Sequence, residues 1–333
     1  ATHYSDPIAV LNLDPVIESL RERIQDPNYI KGLARDLLLD NPHRVTLVMA
    51  PDTNLSEAKI KMETESLATI KDKMDDAQRE ATVKLAADLI ARQAQSDDED
   101  ILPKVGLDDI AADIPDLEFT RTSLGRADLN AYSRGTNGIV YQQLVAPLPQ
   151  LDPGKLQVLP IYSSMLSELG MGEGSYLEAQ DEQSATVGSI HAYVSSRGAV
   201  EDEQDISAYF CLSSKALHAK TRGQTQLMRK LMDSVRFDEK DRIRDLAGQM
   251  LARREQSITG NGHSLAMGAA CAGMSPLANL SHQQSGLEGI RRLRTLVKDL
   301  DGDEGVAAFA GQLQQIHEDI VAQPAQFLAI TDE

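Results

Sequence analysis

The hydrophobic positions of this chain follow two periods, and the switch between them is sharpest from Leu156 to Val194. Leu159, Tyr162, Met165, Leu166 and Leu169 recur every three or four residues, which places them on one face of a helix. Gly170, Gly172 and Gly174 break that run, and a second helix is expected from about Ser175. From Ile190 the period drops to two, with Ile190, Ala192 and Val194 on one side and His191 and Tyr193 on the other. The stretch therefore predicts helix, glycine turn, helix and strand.

Upstream, residues 15–40 predict two helices. Asp14-Pro15 opens the first, whose stripe is Val16, Leu20 and Ile24; Asp26-Pro27 restarts the pattern through Ile30, Leu33, Leu37 and Leu38. Asn41-Pro42 ends it, because the residue before proline avoids helical backbone. Val45 to Met49 then predicts a short buried strand, closed by Pro51-Asp52. Such an element is too small to fold alone and reads as the tail of a domain whose body lies upstream. Residues 54–96 lack Pro and Gly and carry two apolar series, Leu55 to Met74 and Ala81 to Ile90, separated by Asp75-Asp76, which can cap the second helix. Both are mostly polar, as suits an antiparallel hairpin between domains. The sequence leaves open whether that hairpin is a hinge or a passive spacer. The acidic run Asp97 to Asp100 and the Pro103/Gly106 region read as a loop.

A new domain is expected from about Asp108. Leu117 to Thr120 suggests an edge strand, and Asp128 to Ser133 and Gly138 to Val145 suggest strands around the Thr136-Asn137-Gly138 turn, a strong hairpin signal. Ile206 to Leu212 is a further strand with Ile206, Ala208, Phe210 and Leu212 on one face. Helices follow: one on Leu227, Leu231 and Val235, one capped by Asp238, a small-residue segment at 264–274, and one on Leu287, Ile290, Val297 and Leu300. Val306, Phe309, Leu313, Ile316 and Ile320 give the clearest helical pattern, ended by Pro324 before a last strand, Phe327 to Ile330. The fold class is α+β: a two-layer sandwich whose mainly antiparallel sheet is covered by helices on one face, preceded by the helical hairpin.

Composition narrows the function. Formal charge is −18, which argues against a nucleic-acid binder. It suits solubility, and it could also attract cationic peptides. No apolar run reaches the roughly 18 residues of a membrane span. The opening ATHYSDPIAV is neither basic nor followed by an apolar segment, so it does not read as a signal peptide. Cys211 and Cys271 are isolated, read as small buried hydrophobes, and favour a reducing compartment, here the cytoplasm. Aromatic residues are only 4% of the chain, so its cores should be mostly aliphatic.

Candidate chemistry is sparse. The histidines are His3, His43, His191, His218, His263, His282 and His317, and no two lie four residues apart, so neither H-E-x-x-H nor H-x-x-E-H can form. His317-Glu318 reads as a solvated helix face. Gly262-His263-Ser264-Leu265-Ala266 falls one residue short of a G-x-S-x-G nucleophile elbow and follows a helix where that elbow needs a strand. Asp299, Asp301, Gly302 and Asp303 have the wrong spacing for an EF-hand and read as a solvated turn. Gly170, Gly172 and Gly174 match no phosphate loop. Arg291, Arg292 and Arg294 form a basic cluster, either solvated or facing an acidic neighbour domain. No catalytic, cofactor-binding or metal-binding residue is assigned.

Asn41-Pro42-His43-Arg44-Val45-Thr46-Leu47, the charged hairpin after it, the Thr136-Asn137-Gly138 turn and the Leu166–Gly172 run together resemble the presequence peptidase branch of the pitrilysin/insulinase zinc metallopeptidases. The resemblance implies four homologous α/β domains in two halves that close around a peptide, the first carrying H-x-x-E-H and zinc. It implies that residues 1–54 end the second domain, 55–107 form the hairpin and exit loop, and 108–333 form a degenerate third domain. On that alignment the three motif positions fall at Ile161, Ser164 and Met165, which offer zinc none of the family's ligands. Zinc would be bound outside this chain. The implied partners are peptide substrates and the missing first, second and fourth domains, with neither nucleic acid nor membrane. A self-standing scaffold with a peptidase-like fold, as in respiratory-complex core subunits, is the alternative; a hydrolase using Ser264 is the remote one.

Overall fold

The structure, a computed structural model, describes residues 6, 8, 11–113, 116–125 and 127–332. His3 and most of the opening decapeptide lie outside them. Contacts divide the chain into two units, Ala1–Ile110 and Ala111–Glu333.

In the first unit, α1 (Asp14–Arg23) and α2 (Tyr29–Ala34) lie where the apolar periodicity predicts helices. A π-turn over Arg35–Leu39 follows, closed by the Asp40 N–H on the Arg35 carbonyl. Two longer helices, α3 (Leu55–Lys73) and α4 (Asp76–Ala94), are separated at Met74-Asp75. Asp75 caps α4: its carboxylate accepts from the Gln78 N–H at 2.8 Å while the Gln78 side chain accepts from the Asp75 N–H. No described residue of this unit is buried, and Leu67, Ile70, Leu85 and Leu89 are all more than half exposed. The apolar stripes of α3 and α4 are thus not sealed against one another. Val45 to Met49 corrects the reading of a buried strand: the segment is irregular and its side chains are exposed. An extended segment becomes a strand only when a neighbour takes its backbone donors and acceptors, and the described residues of this unit supply none.

The second unit is a six-stranded sheet in the order β1-β2-β6-β3-β5-β4. Its strands are β1 (Thr120–Ser123), β2 (Asp128–Ser133), β3 (Ile139–Pro147), β4 (Ser189–Gly198), β5 (Ile206–Leu217) and β6 (Gln326–Thr331). All pairs are antiparallel except β2 with β6. The expected edge strand at Leu117 begins three residues later, at Thr120, and does lie at an edge. The Asn-Gly turn forms, with Asn137 at φ 55° and Gly138 at φ 78°, but it does not close a hairpin. The last strand, β6, enters between β2 and β3, and Asp332 just beyond it accepts the Thr136 and Gly138 N–H groups at 2.7 and 2.6 Å. These backbone donors hold the Asp332 carboxyl below the usual carboxylate range.

The helices of this unit are α5 (Pro153–Leu166), α6 (Tyr176–Thr186), α7 (Thr221–Ser234), α8 (Lys240–Ser257), α9 (Gly262–Cys271), α10 (Pro276–Gln284), α11 (Leu287–Asp299) and α12 (Asp303–Val321). The core lies between one sheet face and α5, α7, α8, α11 and α12. Ile190 and Ala192 of β4, Phe210 and Leu212 of β5, and Leu313, Ile316 and Ile320 of α12 all reach it. The opposite sheet face carries Tyr141, Tyr193 and Tyr209, each exposed, on neighbouring strands. No helix among the described residues is long and apolar enough to cross a membrane.

Candidate functional site

The site is built on α5, which starts where Asp152 accepts the Lys155 N–H at 3.0 Å and Pro153 presets the first turn. Leu159, Ile161, Tyr162, Ser163, Met165 and Leu166 are buried, so α5 is a central helix and not a surface one. Pro160 sits inside it and cannot donate to the carbonyl four residues back. That carbonyl, on Leu156, instead accepts from the Gln284 side-chain amide of α10 at 2.6 Å. The structure separates the three motif positions. Ile161 and Met165 point into the core, while Ser164 is exposed and its Oγ donates to the Ile161 carbonyl at 3.1 Å.

His317 corrects the reading of a solvated helix face. It is buried, and its ring lies against Tyr162 and Phe237 at centroid distances of 6.1 and 5.6 Å. Nε2 is 2.9 Å from the Met232 carbonyl, which can only accept, so the proton sits on Nε2; Nδ1 then accepts from the Tyr162 hydroxyl at 2.8 Å. Burial pushes the His317 pKa below 6.5 and the Tyr162 pKa up. The position was readable in principle, because 317 is four residues after the core residue Leu313 on the same helix. Since the folded pKa is depressed for a base, the unfolded chain takes up this proton first as pH falls. The stabilisation is complete above pH 6.5 and declines below it toward the folded-state value. Urea midpoints measured at pH 7.5 and 5.5 should fall toward acid in the wild type, and fall less in His317→Gln.

The glycine turn after α5 is a structural clamp. Glu239, at the start of α8, accepts the Gly170 N–H at 2.6 Å and the Tyr176 N–H at 2.9 Å. Arg236 donates from its backbone to the Gly170 carbonyl at 2.9 Å and from its side chain to the Gly174 carbonyl at 3.3 Å. A Cβ on Gly170 would lie 2.5 Å from the Gly174 carbonyl oxygen, so only glycine fits there. The helix cap assigned to Asp238 moves one residue on: Glu239 stands at the cap with its carboxylate committed to the turn, and Asp238 pairs with Arg236 at 3.0 Å.

The remaining sequence candidates do not converge. Arg291 and Arg292 pair with Glu288 at 3.5 and 3.4 Å, and Arg294 with Glu255 at 2.6 Å. The turn at Asp299–Asp303 is pinned by Arg244, which donates to the Leu300 carbonyl at 2.7 Å and to Asp303 at 2.6 Å. Ser264 and His282 line one cleft of about 430 Å³ with Cys271, yet among the described residues no hydrogen bond joins them. Cys211 is buried as expected, but Cys271 is exposed: α9 holds no buried residue, which also corrects its reading as a closely packed helix. Among the described residues no group of three or more His, Cys, Asp and Glu side chains is placed to hold a metal ion.

The order of elements and the apolar α5 define a domain related to the metallopeptidases named above. A sequence profile of the family described as peptidase M16, subfamily C, associated matches residues 49–296, and the chain belongs to that family. The mitochondrial presequence protease of Danio rerio is 23% identical over 303 residues, which cover 90% of this chain and 29% of that protein. Presequence protease 1, chloroplastic/mitochondrial, of Arabidopsis thaliana is 24% identical over 330 residues, covering 96% of this chain and 30% of that protein. The chain thus spans about 30% of the length of these curated relatives. A crystal structure of a peptidase M16 inactive domain from Pseudomonas fluorescens aligns over 65% of this chain and 47% of its own, with 18% identity and a TM-score of 0.42.

Proposed function

We propose that this chain is a non-catalytic part of a zinc metalloendopeptidase that degrades short unstructured or presequence-type peptides in a closed chamber. The observation that carries the reading is the chemistry of α5. In the catalytic domain of such an enzyme the equivalent helix presents two imidazoles and a carboxylate to zinc. Here Ile161 and Met165 are packed in an apolar core, and Ser164 is the one motif position left exposed. Zinc would be held by another domain, where it polarises the peptide carbonyl and activates water.

In this reading residues 108–333 form chamber wall, residues 55–107 a hinge, and residues 1–54 the tail of the preceding domain. The uncovered sheet face with its tyrosines suits a wall that meets extended peptides. Exposed apolar stripes throughout the first unit favour contact with the other domains over a self-standing scaffold. A charge of −18 suits attraction of basic peptides. Two free thiols suit a reducing compartment, and we place the protein in the cytoplasm.

The test compares the full-length protein carrying this segment with the 333-residue chain alone on a basic, unstructured peptide. The full-length protein should cleave it and slow severalfold as salt rises tenfold, while the chain alone should not cleave. Cleavage by the isolated chain, or none by the full-length protein, contradicts the proposal.

A further inference from the structure

The two ends of α8 treat their arginines differently. Near its start, Arg242 pairs with Glu168 at 2.9 Å and Arg244 with Asp241 at 2.8 Å. Near its end, Arg253 and Arg254 have no carboxylate within ion-pair distance among the described residues. Arg253 reaches only the Gln249 carbonyl at 3.4 Å, and Arg254 only the Gln284 carbonyl at 2.8 Å. Acidic side chains outnumber basic ones by 51 to 33, so two adjacent unpaired guanidinium groups run against the composition. Arg254 is half-buried, and burial pushes its pKa down, the mark of a cation without its counter-charge.

Both arginines line a cleft of about 540 Å³ between α5 and α8. Met165, Leu246 and Met250 give it an apolar wall, and Ser164 and Gln249 add hydrogen-bonding groups. Its one acid, Glu168, is already engaged by Arg242 and the Gln180 amide. A paired guanidinium site beside an apolar wall selects a carboxylate attached to an apolar group. A polyanion is disfavoured by the surrounding negative charge.

We propose that this cleft binds the C-terminal residue of a short peptide, its carboxylate on Arg253 and Arg254 and its apolar side chain against Met165, Leu246 and Met250. The choice of a peptide as the carrier of the carboxylate rests on the peptidase reading; the anion-plus-apolar chemistry does not. Ser164, the exposed motif position of α5, would then face a bound product end where the catalytic domain faces zinc.

The test titrates the zinc-free 333-residue chain with an N-acetylated pentapeptide ending in leucine, as free acid and as C-terminal amide, following the arginine side-chain NMR signals. The free acid should bind at least about tenfold tighter than the amide, and tighter than acetate, as charge-assisted hydrogen bonds predict. Arg253→Gln, at an exposed position, should weaken the free acid about tenfold without moving the thermal melt. Arg254→Gln should weaken it further but also loosen α10 through Gln284. Equal binding of acid and amide, no binding, or acetate binding as tightly as the peptide acid would each overturn the proposal. Because no hydrolysis is measured, these outcomes stand whether or not the full-length protein proves to be a peptidase.

Discussion

Phe210→Ala should destabilise the second unit by about 3–5 kcal/mol, the range for removing a fully buried phenylalanine. Phe210 has no exposed surface, and its ring lies 6.1 Å from that of Tyr162, which in turn stacks toward Phe237 at 6.3 Å. With aromatics only 4% of the chain, this cluster is a concentrated source of burial, and no neighbouring large side chain is free to fill the gap. The preceding residue, Tyr209, points to the uncovered face and is exposed. Tyr209→Ala should therefore cost less than about 1 kcal/mol. Urea melts of the two variants check which sheet face is sealed; similar losses would contradict the architecture.

Glu239→Ala should be nearly as damaging, at about 2–5 kcal/mol, although Glu239 is only partly buried. The loss strands the Gly170 and Tyr176 N–H groups, each of which costs about 1–3 kcal/mol when left unsatisfied in a shielded turn. For a unit of this size the melting temperature should drop by roughly 5–15 °C. Glu239→Gln keeps one acceptor oxygen and should lose about half as much. An unchanged melt in Glu239→Ala would mean that the turn does not depend on the carboxylate.

What the sequence made legible follows from which interactions are local. The run from Leu159 to Val194 could be read because helix and strand periods depend on near neighbours, and α5, α6 and β4 lie where the pattern changes. The Asn-Gly turn was also readable as a turn, since it needs only left-handed backbone at Asn137 and Gly138. Its pairing was not, because the strand that separates β2 from β3 comes from the far end of the chain. Val45 to Met49 has strand composition, but a ladder needs a partner that the described residues do not provide. His317 was misjudged by residue type: a polar side chain next to Glu318 suggests solvent, while its helical phase places it in the core. The unpaired state of Arg253 and Arg254 carries no sequence signal, because pairing depends on which acids the fold brings near.

The measurement that bears most directly on the whole account is the metal content of the purified chain, read by anomalous X-ray scattering at the zinc edge and by elemental analysis. The account predicts well under one equivalent of zinc and no anomalous peak near Ile161, Ser164 and Met165. One tightly held zinc per chain, coordinated by residues of this domain, would contradict it.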